Sequence, residues 1–137
     1  MRQFSFFLLV TICCLILVSA CHEEPESLVG IEISRDSLVN TWTIEKFIKD
    51  DTTRTEDFAG VLLEIQNSGR LNLIKDGQIF EALWSLRGTA LAFSIDVTDT
   101  LLRELSGVWI ALDQTAERID LVNENPRTPH ELTLVVP

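Results

Sequence analysis

The chain has 137 residues, with 11 basic against 21 acidic side chains and a formal net charge of −10. Such a balance repels phosphate backbones and argues against nucleic-acid binding. The length suits a single domain with its own hydrophobic core.

Arg2 is the only charge before Cys21, and residues 4–20, FSFFLLVTICCLILVSA, are apolar almost throughout. A short basic start, an apolar middle and a small-residue exit are the parts of a secretory signal peptide. The competing interpretation is a transmembrane helix. The run falls just short of the ~20 residues needed to cross the hydrocarbon core, and no basic residue flanks its far side.

The exit, Val18-Ser19-Ala20-Cys21, resembles a bacterial lipobox. The resemblance implies cleavage before Cys21 and lipid on its sulfur and new amino group. Stable anchoring needs two or more acyl chains, at about 0.8 kcal/mol per buried methylene. Loss of residues 1–20 leaves 117 residues carrying 10 basic and 21 acidic side chains, a net charge of −11. On that balance, membrane contact is expected through the lipid alone. Cys13 and Cys14 leave with the leader, so no free thiol, disulfide or thiolate metal site is expected in the mature domain.

Residues 21–37 read as the lipidated cysteine and an acidic tether, punctuated by Pro25 and Gly30. Leu28, Val29, Ile31 and Ile33 could add an edge strand. The acids after Cys21 resemble the surface-export signal of Bacteroidetes lipoproteins, which implies an outer-membrane location.

From residue 38 to 137 the pattern is that of one β domain. Strands are expected at 41–45, 61–66, 70–75, 78–86, 89–95, 108–112, 118–123 and 131–136. Asn67-Ser68-Gly69 and Asp76-Gly77 mark tight turns, the second a favoured type I′ dipeptide. Residues 50–59 read as a polar loop. Pro126 and Pro129 fall in the last connection, where they disrupt no ladder. Residues 98–106 read as a short helix or a long loop, with Thr98 or Asp99 capping its start and Gly107 ending it. Eight short strands joined by hairpins predict an all-β, antiparallel meander closing into a barrel, with a two-sheet sandwich as the alternative. At this strand number the interior is either filled by side chains or holds one small ligand.

Four stretches are similar to the small lipocalin-like domains of Bacteroidetes lipoproteins: Leu38-Val39-Asn40-Thr41-Trp42, Asn67-Ser68-Gly69, Trp84-Ser85-Leu86 and Leu105-Ser106-Gly107-Val108-Trp109. Asn40 departs from the glycine usual in the opening motif. The resemblance implies a lipocalin-like barrel and a ligand cavity.

Candidates for chemistry are few. His22 adjoins the anchor, and His130 reads as a surface residue at a strand start. No His-x-Glu or His-x-x-His spacing supports a zinc site, and no nucleophile motif occurs. Glu64, Glu81, Asp120 and Glu131 should face solvent beside inward apolar neighbours. Asp50, Asp51, Glu56 and Asp57 share one loop without EF-hand spacing. No metal, cofactor or catalytic activity is therefore expected. Trp42, Trp84 and Trp109 remain, either as core or as contacts to a small apolar or sugar-like ligand or to a protein partner. Trp109 lies on the opposite strand face from Val108, Ile110 and Leu112, so it would mark a contact site if that face were outside. The expected function is non-catalytic binding by a membrane-anchored envelope lipoprotein. The alternative is an accessory subunit with a filled barrel and no ligand.

Overall fold

The computed structural model describes residues 29–123 and 127–137. The leader, Cys21, His22, Pro25, Leu28 and Pro126 lie outside the described residues.

Apolar alternation builds the strands. They are β1 (Thr41–Lys49), β2 (Thr52–Thr53), β3 (Leu62–Ile65), β4 (Arg70–Lys75), β5 (Gln78–Arg87), β6 (Ala90–Ser94), β7 (Gly107–Gln114), β8 (Arg118–Asn123) and β9 (Glu131–Val135). Each large strand pairs antiparallel with the next, and β9 returns to β1, with Thr43 opposite Val135 and Ile48 opposite Glu131. The result is a closed eight-stranded antiparallel barrel, with β2 folded back on the end of β1. Closure leaves the large strands without a free edge.

Turn chemistry follows the sequence. Asp76 and Gly77 both adopt positive φ, 53° and 76°, as a type I′ hairpin requires. Two register slips bend the wall, between Ile44 and Lys46 in β1 and between Ala111 and Asp113 in β7. The first reverses the parity of β1, so that Trp42 and Phe47 both point inward and are fully buried. The second leaves Leu112 on the outside.

The meander gives the barrel two distinct ends. The entry end carries the chain entering β1 and the β3–β4, β5–β6 and β7–β8 turns. The far end carries the connections after β1, β4, β6 and β8. A short helix lies at each: α1 (Arg35–Leu38) at the entry end and α2 (Thr100–Arg103) at the far end. Asp99 caps α2, its carboxylate accepting from the amides of Leu101 and Leu102 at 3.0 Å. Leu102 and Leu105 then plug that mouth with no exposed surface. Gly107 begins β7 at φ 137° instead of closing the helix.

Residues 50–59 hold more structure than a polar loop. They form β2 and a 3-10 turn, Thr55–Phe58, that carries Phe58 into the core. Its ring meets Phe47 edge-on at 4.8 Å. One aromatic in a polar stretch is enough to seat the connection on the barrel, since burying it contributes roughly 2–3 kcal/mol.

Residues 29–37, read as tether, lie along the barrel. The Ile31 amide donates to the Ala111 carbonyl at 2.8 Å, but no strand forms. Ile33 is buried. Gly30 rests on the outward side chain of Ile110, where an added Cβ would come within 2.4 Å of its Cγ2. This contact explains why Ile110 is buried although it points away from the lumen.

Candidate functional site

The lumen is the first place to seek a ligand, and it is full. Trp42, Phe47, Leu63, Leu71, Leu73, Leu91, Trp109, Ala111, Ile119, Leu132 and Leu134 have no accessible surface. A void able to hold even one water would leave accessible area on the side chains around it. A ligand site normally needs several hundred Å³. These side chains leave no such space, so the cavity implied by the resemblance is occupied by protein.

The three tryptophans take up much of that volume. Trp42 and Trp109 are wholly buried, their indole N–H groups donating to the carbonyls of Leu38 and Leu105, both at 2.9 Å. The face of β7 that carries Trp109 is thus the inner one. Trp84 is nearly buried and donates to the Gln66 carbonyl at 2.7 Å. The Arg35 guanidinium lies 4.4 Å above its ring and also donates to the Asn67 carbonyl at 2.8 Å. Each indole is satisfied by main chain, which suits a structural part.

The outer wall offers more. Between β5, β6 and β7 a groove of about 580 Å³ runs over small side chains, Ser85, Ala92 and Ser94, flanked by Leu83 and Val108. Pairing places Leu83 opposite Ser94, and Ser85 and Val108 on either side of Ala92. Leu83 is 60% exposed and Val108 43%. Trp84 borders the groove from beneath, the one expected contact residue that does so. The sequence reading passed over Leu83, although strand alternation alone puts Ile79 and Leu83 on the solvent face of β5.

A second groove, about 450 Å³, lies over β7, β8, β9 and β1. Its lining mixes apolar side chains, Leu112 among them, with charged ones that are largely paired with each other. Lys46 pairs with Glu131 and Arg118 with Asp120, while Thr133 donates to Asp120 at 2.7 Å. Partial burial acts to raise the Asp120 pKa, but the hydrogen bonds from Arg118 and Thr133 outweigh it and hold the carboxyl below its usual value. A carboxylate kept ionised by two hydrogen bonds in this way makes a poor general acid.

The remaining candidates also scatter. Glu64 accepts from Gln66 at 2.6 Å, and Glu81 faces solvent. In the acidic loop Asp57 pairs with Arg54 at 2.8 Å, while Asp50 accepts from Thr128 at 2.9 Å and lies 3.3 Å from His130 Nε2. The Thr128 hydroxyl, then His130, lowers the Asp50 pKa. Among the described residues no three His, Cys, Asp or Glu side chains converge to hold a metal ion, and no helix is long and apolar enough to cross a membrane.

No family model, curated protein or solved structure matches the chain.

Proposed function

We propose that the protein is a non-catalytic envelope lipoprotein, anchored in the outer membrane by lipid on Cys21, whose filled barrel acts through its outer wall on a protein partner. The observation that carries this reading is the absence of accessible surface on most of the lumen side chains, Trp42, Phe47, Leu73 and Trp109 among them. With the interior occupied, a small apolar or sugar-like ligand inside the barrel has no place to sit. The β5–β7 groove, with Leu83 and Val108 exposed on its rims, offers a surface for recognition. The lipobox-like Val18-Ser19-Ala20-Cys21 supports the anchor. The ion-paired carboxylates of the wall offer no acid–base pair for an enzyme.

Native mass spectrometry of the chain extracted from its own membranes tests the reading. The expected mass is that of residues 21–137 plus covalent lipid, with no further small molecule. A retained non-covalent ligand that survives exchange into fresh detergent would overturn the filled-barrel reading. An unmodified Cys21 would overturn the anchor.

A further inference from the structure

The β5–β7 groove has a neighbour in its own chain. Residues 30–37 run alongside β7 in the same direction. Gln114 Nε2 donates to Ser37 Oγ at 2.6 Å, the Ile31 amide donates to the Ala111 carbonyl, and Gly30 rests on Ile110. The chain ahead of Gly30 therefore points along β7 towards Val108. Gly30 also faces Thr89, whose Cβ would lie 2.9 Å from a Cβ added there. It thus sits over the seam of β6 and β7, on the groove's side of β7 and not on the side of β8.

Distance and facing agree with that direction. Pairing sets Ala90 beside Ile110 and Ala92 beside Val108. The step from the first pair to the second is two residues of strand, about 6.6 Å. Two residues of extended chain ahead of Gly30 cover the same step and end at Leu28. In an extended chain residue 28 faces as Gly30 does, and Val29, between them, is 84% exposed. The groove at that level is floored by Ser85 and Ala92, side chains small enough to admit a leucine.

Charge points the same way. No charged side chain lines the groove. Two arginines flank it: Arg70, paired opposite Leu83, and Arg87, two positions from Ser85 on the same strand face. Both are exposed, and among the described residues neither has a carboxylate partner. Glu81 adjoins Leu83 on the other side, which leaves the rim net basic. The stretch ahead of Val29, HEEPESL, has three acids and no lysine or arginine. In a protein with so large an excess of acid, a basic rim without acid partners attracts such a segment.

We infer that residues 22–28 occupy the β5–β7 groove in cis, with Leu28 on Ala92 and Val108 and the glutamates near Arg70 and Arg87. A protein partner then binds there only by displacing this segment. The inference rests on the groove as the recognition surface, as proposed above, and gives that surface a built-in competitor.

Ser85→Cys and Ser94→Cys, both exposed in the groove, and Thr53→Cys, exposed on β2, are the probes. Each is made in the full-length chain and processed in the host. Each is labelled with a hydrophilic maleimide in isolated envelopes and again after purification in detergent. The label is read at the probe position by peptide mass, whatever the state of Cys21. A second set adds Leu28→Ser, Glu24→Gln and Glu26→Gln. In the purified chain the groove thiols should label about tenfold more slowly than in the second set, because access governs thiol reaction. Thr53→Cys should label alike in both sets. Equal rates at the groove in the two sets would overturn occupancy in cis. If the groove thiols were then shielded in envelopes alone, a partner would hold the groove and the proposed function would stand. If they were open in both, the proposed function would lose its surface together with the inference. Shielding that fades on dilution would overturn the inference in favour of a second copy of the chain.

Discussion

Two five-residue segments of this chain solve the same problem at opposite ends of the barrel. Leu38-Val39-Asn40-Thr41-Trp42 leads from α1 into β1, and Leu105-Ser106-Gly107-Val108-Trp109 leads from α2 into β7. In both, a fully buried leucine ends a helical turn, and its carbonyl accepts the indole N–H of a fully buried tryptophan four residues later. The middle residues differ. Gly107 takes φ 137°, and a Cβ there would meet Asn123 Nδ2 at 3.2 Å. Asn40 avoids positive φ, and its side chain accepts from the Thr41 amide at 2.8 Å while its carbonyl accepts from Ile65. Ser106 is tied on both sides, accepting from the Ile95 amide and donating to the Phe93 carbonyl, each at 3.1 Å. Its counterpart Val39 is an exposed apolar side chain. The leucine–tryptophan pair thus sets the plug, and the residues between are free to serve the surroundings of each end.

The sharpest way to break the comparison is to remove the shared part. Trp42→Ala and Trp109→Ala should each cost about 3–5 kcal/mol, from the cavity and the leucine carbonyl left unpaired. Against a typical total of 5–15 kcal/mol, either variant approaches global unfolding. Urea titration should find the two losses within a factor of two. A loss confined to one end would show that the plugs are not equivalent.

Next comes the residue that differs most. Gly107→Ala forces a side chain into a backbone region nearly reserved for glycine, at a cost of about 1–3 kcal/mol. Asn40→Gly places at the first plug the residue type that the second carries, and its cost should stay under about 1 kcal/mol, the entropy of a glycine in an ordinary conformation. If Asn40→Gly proved stabilising, the asparagine would be a compromise for something other than the fold.

Much of this was legible before any coordinates. The eight strands follow period-two alternation closely, and the Asp76-Gly77 turn follows from dipeptide chemistry. The inward face of β7 was legible only up to a choice of side, because Val108, Ile110 and Leu112 on one face compete in apolarity with Trp109 and Ala111 on the other. Ile110 tips the local pattern, and it is buried by Gly30, about eighty residues away in sequence, a contact no local window can see. Phe58 is hidden for the same reason: its partner Phe47 lies across a polar turn. The parity change at Glu45 is silent in composition and appears only when β1 must match β9. The candidate groove was readable in part, from Leu83 on the outer face of β5, but its width depends on Ala92 and Ser94 of the next strand lying beside it.

The helices that precede the two plugs differ in their caps, and this gives a smaller effect. Ser34 at the start of α1 makes no side-chain cap, whereas Asp99 caps α2 and pairs with Lys75 at 2.7 Å. Ser34→Ala should leave stability unchanged within about 0.5 kcal/mol, while Asp99→Ala should cost about 1 kcal/mol. The Lys75 hydrogen bond, then the Leu102 and Leu101 amides, holds the Asp99 pKa below its ordinary 3.8. A lowered folded pKa means that the contribution is complete above 3.8 and is lost as pH falls from there through the folded value. The gap between the wild type and Asp99→Ala should therefore be constant from neutral pH to about 5 and narrow below 4. A gap that stayed constant to pH 2 would show that the carboxylate charge contributes nothing.

The smallest effect on stability is expected at the entry end. Val39→Ser puts into the first plug the residue type that the second carries. Val39 is partly exposed and its side chain satisfies no polar group, so the unfolding midpoint should move by less than about 0.5 kcal/mol. Ser106→Val, the reverse exchange, strips the Ile95 amide and Phe93 carbonyl of a shared partner and should cost about 1–3 kcal/mol. Stability alone would then allow serine at both positions, since it is harmless at one and needed at the other. A Val39→Ser substitution neutral in urea would show that the plug does not need the valine. If Val39→Ser instead unfolded the protein as readily as Ser106→Val does, the valine would belong to the plug and the two segments would be alike in every respect except their glycine.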